Sequence, residues 1–385
     1  MTKQDASGNL LWVNTYGGTS NEEAKAVAVD RAGNIFVTGH FFGTANFGGA
    51  NLTSGAGIYA SDIFAAKYDS SGNHLWSKRI GGVLGNNYGT SIAVDASGNV
   101  FVGGQVSNVV DLGGGDITMV SRSTDGFVVK LAGTDGQYIW GRSFGSTGSD
   151  YVGGIAVDSS GDVIVGGSAY GDINLGNGIF APVNPGSSDL FIVKYAGTDG
   201  HYLWSRVTGG PGSDGVSDVA IDANQNIIVT GAFYGSVDLG GITLSLPSAS
   251  TTFIAKYNGG GDLTWAKAIA RDTLSGAVGV RKVAVDSTGN LAITGNLTGG
   301  ADFGSGTYVY GTASIYVAKY NPQGHYLWVK TSVNTGYCAG YGLAIDGTRN
   351  VLATGSIQES VTFDGLQVSS PGIQVKSGYV LKISP

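Results

Sequence analysis

Residues Gly98–Gly104 read "GNVFVGG", and nearly the same phrase returns five more times. It is "GNIFVTG" from Gly33, "GDVIVGG" from Gly161, "QNIIVTG" from Gln225, "GNLAITG" from Gly289 and "RNVLATG" from Arg349. A phrase that recurs this often belongs to a structural unit before it belongs to a site. An aspartate stands three residues before each phrase, at Asp30, Asp95, Asp158, Asp222, Asp286 and Asp346. Asp, two residues, then Gly-Asn or Gly-Asp suits a type I turn closed by a glycine bulge. The phrase is therefore the second strand of a hairpin.

Working outward, "GTSIAVD" (Gly89–Asp95) is the first strand of that hairpin, strand A, and "NVFVGG" is strand B. A long segment leads to "GFVVKL" (Gly126–Leu131), strand C, and a short turn leads to "QYIWGRSFG" (Gln137–Gly145), strand D. Short apolar runs bounded by turn residues are the strand signature. The six tryptophans, Trp12, Trp76, Trp140, Trp204, Trp265 and Trp328, lie 64, 64, 64, 61 and 63 residues apart. Six A, B, C and D strands can be counted. The expected fold is all-β, a single six-bladed β-propeller over residues 1–385 with four antiparallel strands per blade. The repeat units run over about 5–68, 69–131, 132–195, 196–257, 258–320 and 321–383. "DASGNLLWVNTY" matches a C–D turn with strand D, and "SGYVLKISP" matches strand C. Residues 8–16 are thus expected to pair with the C-terminal strand, complete the blade of residues 342–383 and close the ring without open edges.

Composition agrees. Of 385 residues 67 are glycine, against a usual share of roughly 7%, and only 13% are charged. Glycine supplies positive φ in tight turns at little steric cost. The net charge is −7 without a Lys/Arg cluster, which speaks against nucleic acid. The single cysteine, Cys338, excludes an intramolecular disulfide or a cysteine zinc site. No apolar run approaches the roughly 20 residues of a membrane helix, so membrane insertion is not expected. The start "MTKQDASGNLLW" is not a signal peptide.

The stretch "TGHFFGTANFGGANLTSGAGIYASDIFAAKYDSSGNHLWSKRIGG" (Thr38–Gly82) resembles the bacterial β-propeller repeat called the SBBP repeat, and the likeness recurs in every unit. The family name refers to seven blades, whereas six are counted here. The resemblance implies a secreted or cell-surface bacterial protein, often one module of a longer chain. It brings no shared catalytic motif, and fold alone does not give function.

In a propeller the A–B and C–D turns share one face, and the B–C and D–A loops share the other. Here the turns are nearly invariant, the B–C loops run to roughly 20 residues, and the D–A loops differ strongly. Variable loops on a rigid scaffold make a binding face. Aligned on the turn aspartate, Glu22, Asn87, Asp150, Asp214, Val278 and Cys338 are equivalent in the D–A loops. Four of these six are expected to form a broken ring of carboxylates and amides, which binds a cation, accepts sugar hydroxyls or holds loop backbone N–H groups. Arg281 and Lys282 make the opposite side basic. Tyr88, Tyr151 and Tyr341 are the aromatic candidates for this mouth, and His40 is the histidine nearest it. Lysines 67, 130, 194, 256, 319 and 382 and the tryptophans recur too regularly for anything but structure.

No cofactor is expected, and the "DxxGN" turns leave room only for a weak structural calcium. The leading expectation is a non-enzymatic, monomeric module that binds a glycan or a protein. One alternative is a glycoside hydrolase or polysaccharide lyase, with Glu22, Asp150 and Asp214 as carboxylates and Arg281 or Lys282 on an anionic group. The other is a structural spacer.

Overall fold

A computed structural model describes residues 1–385 except 56–59, 119–122, 273–275, 335, 364, 371–375 and 385. The described residues are strands, turns and loops, with no helix among them. Contacts divide the chain into two compact units, Met1–Ala181 with Val193–Leu203, and Pro182–Ile192 with Trp204–Pro385.

In the first unit, Glu22–Val29, Ile35–Phe42, Ser61–Tyr68 and His74–Ile80 pair in that order as one antiparallel sheet. Tyr88–Val94, Val100–Ser107, Thr124–Leu131 and Tyr138–Phe144 make the second sheet. Tyr151–Val157 and Val163–Ala169 form the next A–B hairpin. The second unit repeats the plan with Gly215–Ile221, Ile227–Asp238, Thr243–Tyr257 and Leu263–Ala268. Ala277–Val285, Leu291–Asp302, Val309–Tyr320 and Tyr326–Thr331 follow. The last sheet has three strands, Cys338–Ile345, Val351–Gln358 and Lys376–Ile383. Successive A, B, C and D strands are therefore sheet neighbours, as the apolar runs predict.

The long B–C segments are less irregular than expected. Thr44–Asn46 with Asn51–Thr53, and Val109–Asp111 with Asp116–Thr118, close small hairpins inside them. In the second unit strands B and C simply lengthen, to 12 and 15 residues in the sheet that begins at Gly215. Backbone pairing satisfies polar groups that a loose loop would leave to solvent.

The expected strand exchange at the N-terminus is not made. Leu10–Val13 pairs instead with Thr2–Gln4 across a local turn. Short-range closure costs far less chain entropy than a pairing between distant segments. Val27 and Val29 of the first strand A stay 63% and 60% exposed, whereas Ile92, at Val27's place in the second sheet, is 9% exposed.

Two kinds of glycine explain the opening phrase. Gly33, Gly98, Gly161 and Gly289 have φ between +82° and +85°, the left-handed turn position. Gln225 and Arg349 hold the same place at +63° and +69°. The last glycine meets a different demand. A Cβ on Gly104 would lie 2.0 Å from the Tyr88 carbonyl oxygen, and one on Gly39 would lie 1.9 Å from that of Glu23. Strand A presses its backbone onto strand B at this point.

The sheets of each unit pack face to face through strands B and C. Phe36, Ile63, Val100, Val102 and Phe127 fill one such layer in the first unit. Ile254, Ile269, Leu291 and Tyr316 fill one in the second.

A repeated polar staple adds to this packing. Lys130 is 7% exposed, and its Nζ lies 2.9 Å from Asp95 Oδ2 of the A–B turn. The same Nζ donates to the Gly197 carbonyl at 2.8 Å, which also accepts Trp140 Nε1–H at 3.0 Å. Lys67 and Trp76 share the Gly133 carbonyl in the same way, and Lys256 and Trp265 share that of Pro322. Lys130, Lys256 and Lys319 are thus buried ion-pair partners. Burial raises the Asp95 carboxyl, but the Lys130 and Asn99 hydrogen bonds outweigh it and hold the group below its ordinary range.

Candidate functional site

Strand A departs from regular pairing at one place in each repeat. In the second sheet Gly89 faces Gly104 and Ser91 faces Gly103, so Thr90 has no partner. The same one-residue bulge falls at Lys25, Gly153, Ser217, Arg281 and Tyr341. Each is five residues before the turn aspartate. A bulge leaves one residue outside the ladder and re-aims its side chain. The bulge also forces the close backbone approach that the last glycine of the phrase admits.

The chemistry at these positions changes along the chain. Thr90 donates to the Val152 carbonyl at 2.9 Å and is used up in the fold. Gly153 and Ser217 are small. Arg281 and Tyr341 are large, exposed and in contact, with the guanidinium carbon 5.2 Å from the ring centroid. Asn296 Oδ1 accepts from Arg281 Nε at 3.3 Å, while Asn296 Nδ2 donates to the Cys338 carbonyl at 2.8 Å. The asparagine ties the arginine to the strand that carries Tyr341. Tyr337, 45% exposed, hydrogen-bonds Tyr341 and widens the aromatic surface. This is an open platform of two rings and one cation.

The other sequence candidates are placed differently. Asn87, Asp150 and Asp214 are buried, at 0%, 0% and 2% exposure. Asp150 accepts the N–H groups of Ser146 at 2.6 Å and Tyr170 at 2.9 Å. Asp214 accepts those of Gly210 at 2.7 Å and Tyr234 at 3.2 Å. Asn87 Oδ1 accepts from Ser107 N at 3.1 Å. These groups hold the D–A loop against the end of strand B. Burial, with Asp125 nearby, pushes Asp150 up to about 6. Burial, with Asp189 nearby, pushes Asp214 up to about 7. Glu22 is half-buried, and its Oε1 has no hydrogen-bond partner.

His40 is 8% exposed and meets Tyr88 edge to face at 4.7 Å. Burial lowers its imidazole below the ordinary range. Lys282 is spent on the buried Asp218, Nζ to Oδ1 3.1 Å, and the same carboxylate accepts Val283 N–H at 2.9 Å. Tyr151 is exposed. The structure therefore joins Arg281 with Tyr341 and His40 with Tyr88. Sequence reasoning named Arg281 and Tyr341 but missed the bulge that presents them; the fixed offset from the turn aspartate is the signal that reveals it.

Among the described residues no three His, Cys, Asp or Glu side chains converge as a metal-ligand set. The A–B turn carboxylates, which left room for a weak structural calcium, are hydrogen-bonded within their own turns. Asp30 Oδ1 accepts from Ala32 N and Asn34 N, and its Oδ2 accepts from Asn34 Nδ2.

The repeats and sheets define an all-β repeat protein. A family model, the beta-propeller repeat SBBP, matches residues 75–105, so the chain carries a β-propeller repeat of that family. An uncharacterized WD repeat-containing protein of Acanthamoeba polyphaga mimivirus is 28% identical over 258 residues, 57% of this chain and 18% of that protein. Regulatory protein FlaEY of Caulobacter vibrioides is 29% identical over 180 residues, 46% of this chain and 18% of that protein. The matches thus span less than a fifth of each relative's length. A crystal structure of a Dyadobacter fermentans protein of unknown function aligns over 95% of this chain and 96% of its own. That alignment has 11% identity and a TM-score of 0.48.

Proposed function

We propose that this protein is a non-enzymatic binding module whose ligand is a glycan bearing an acidic group, taken on the Arg281–Tyr341–Tyr337 platform. The observation that supports this reading is the exposed contact of Arg281 with Tyr341. A tyrosine face suits the apolar side of a sugar ring, and an exposed guanidinium suits a carboxylate or sulfate. The carboxylates that a hydrolase would need, Asp150 and Asp214, are buried and bonded to loop backbone. That favours binding over hydrolysis. The reading takes the six repeated motifs as blades of one propeller in a secreted or surface protein.

The test is an array of neutral and acidic glycans probed with the labelled protein. A hit confined to acidic glycans and lost in Arg281→Ala and Tyr341→Ala is expected. A hit that survives both substitutions sinks the platform, and release of shortened sugars revives the hydrolytic alternative.

A further inference from the structure

Behind the D–A loops, the first residue of strand C meets the loop residue aligned above, and the charge of this pair changes in a coordinated way. In the first sheet the pair is Asp62 with Asn87, Oδ1 to Nδ2 3.0 Å. Arg79, three residues after Trp76, completes it with Nε 2.5 Å from Asp62 Oδ2. One carboxylate, one amide and one guanidinium sum to neutrality. At the next place the amide is replaced by an acid, Asp125 with Asp150, and Arg79's position holds Ser143. One repeat later the set is Asp189, Asp214 and Val207. The following two sets are Thr251, Val278 and Ala268, then Ser314, Cys338 and Thr331. Among these five sets the second acid appears only where the guanidinium is gone, and the other three sets are neutral.

The Asp189 set is the clearest. Asp189 and Asp214 are 1% and 2% exposed. Asp189 Oδ2 accepts from Val183 N, while its Oδ1 has no hydrogen-bond partner. That bare oxygen and Asp214 Oδ2 both face the Gly209 backbone. A methyl group built on Gly209 would lie 2.3 Å from the first and 3.1 Å from the second. Gly81, Gly145 and Gly209 occupy this place beside the three charged sets, and Ala270 and Val333 occupy it beside two neutral ones. The glycine, having no Cβ, lets both carboxylates sit against its backbone, and no lysine or arginine forms an ion pair with either one among the described residues. Two ionised carboxylates buried without a counter-charge are strongly unfavourable.

We infer that Asp189 and Asp214 hold a divalent cation of the calcium type, whose charge stands in for the Arg79 guanidinium of the first sheet. One divalent ion balances two carboxylates, as one guanidinium balances one. The donors are all oxygen, which selects a hard cation over zinc or copper. Each carboxylate oxygen that accepts an N–H keeps a further lone pair for the ion. The site is distinct from the A–B turns, whose aspartates are filled by their own backbone and by lysine. Asp125 and Asp150 form a second set of the same composition.

The full chain, treated with chelator and exchanged into metal-free buffer at pH 7.5, is titrated with calcium chloride by calorimetry and by thermal melting. Calcium binding with a raised melting temperature is expected. The Asp189→Asn, Asp214→Asn double variant is expected to bind one ion fewer. A second variant, Val207→Arg with Asp214→Asn, rebuilds the first-sheet set. It should also bind one ion fewer while melting, metal-free, at or above the wild type. No calcium heat, or a stoichiometry in either variant equal to that of the wild type, overturns the inference. So does a wild type whose melting temperature rises from pH 8 to pH 5 and ignores calcium, since the pair then shares a proton instead.

Discussion

The turn at Asp95 and the bulge at Arg281 lie toward opposite ends of the same kind of strand A. At the turn end the same device returns in repeat after repeat. An aspartate is tied to its own loop, a strand-C lysine pairs with it, and that lysine shares a neighbouring carbonyl with a tryptophan. At the bulge end the backbone device is equally constant, but the side chain is lysine, threonine, glycine, serine, arginine or tyrosine. Constant chemistry at a constant geometry marks a demand of the fold. Changing chemistry at a constant geometry marks a position that the fold does not need.

That contrast predicts a ladder of effects. The largest belongs to the staple. Lys130→Met strands the buried Asp95 carboxylate and should cost about 3–5 kcal/mol in urea unfolding. A loss below about 1 kcal/mol would place the staple among ordinary surface pairs.

The next effect is a pH dependence in metal-free buffer. Asp150 and Asp214 are raised in the folded state, to about 6 and about 7. A raised carboxyl favours folding most when protonated in both states, below its ordinary range near 3.8. That contribution is lost as pH rises through the folded values. Stability should fall between about pH 4 and pH 8, by about 3 kcal/mol for Asp150 and about 4 kcal/mol for Asp214. Asp214→Asn should flatten the upper part of that curve, and a flat wild-type curve would contradict the burial argument.

A smaller gain is expected where a side chain sits in the glycine conformation. Arg349→Gly removes a left-handed non-glycine residue at φ +69° and should add up to about 1 kcal/mol, measured as a rise in the urea midpoint. The smallest change in stability belongs to the platform. Arg281→Ala and Tyr341→Ala should each shift unfolding by less than about 0.5 kcal/mol while removing glycan binding. A loss of stability as large as that of Lys130→Met would erase the distinction between the two ends.

Much of this was readable from residues alone. The tryptophan spacing, the turn aspartates and the phrase itself gave the four strands and their order, because turn geometry and alternating burial leave local marks. The N-terminal strand was misread because matching a strand-D pattern does not decide which edge it finds. Asp150 and Asp214 were visible as repeated polar positions, yet their burial depends on Tyr170 and Tyr234, each 20 residues further along the chain. The strand-C aspartates Asp62, Asp125 and Asp189 carry no separate mark in the sequence, and only their contacts show them as partners of the D–A loops.

The shared acceptor of the staple has a consequence for how such a chain grows. Gly133, Gly197 and Pro322 supply the same carbonyl although the residues differ. The lysine and tryptophan of one repeat therefore recognise main chain, which every copy of the unit carries whatever its side chains. A duplicated unit arrives with its neighbour's docking point already built, and its exposed bulge residue can drift without retuning the junction. Lineages can lengthen, shorten or reshuffle such arrays while each new copy explores its own surface chemistry.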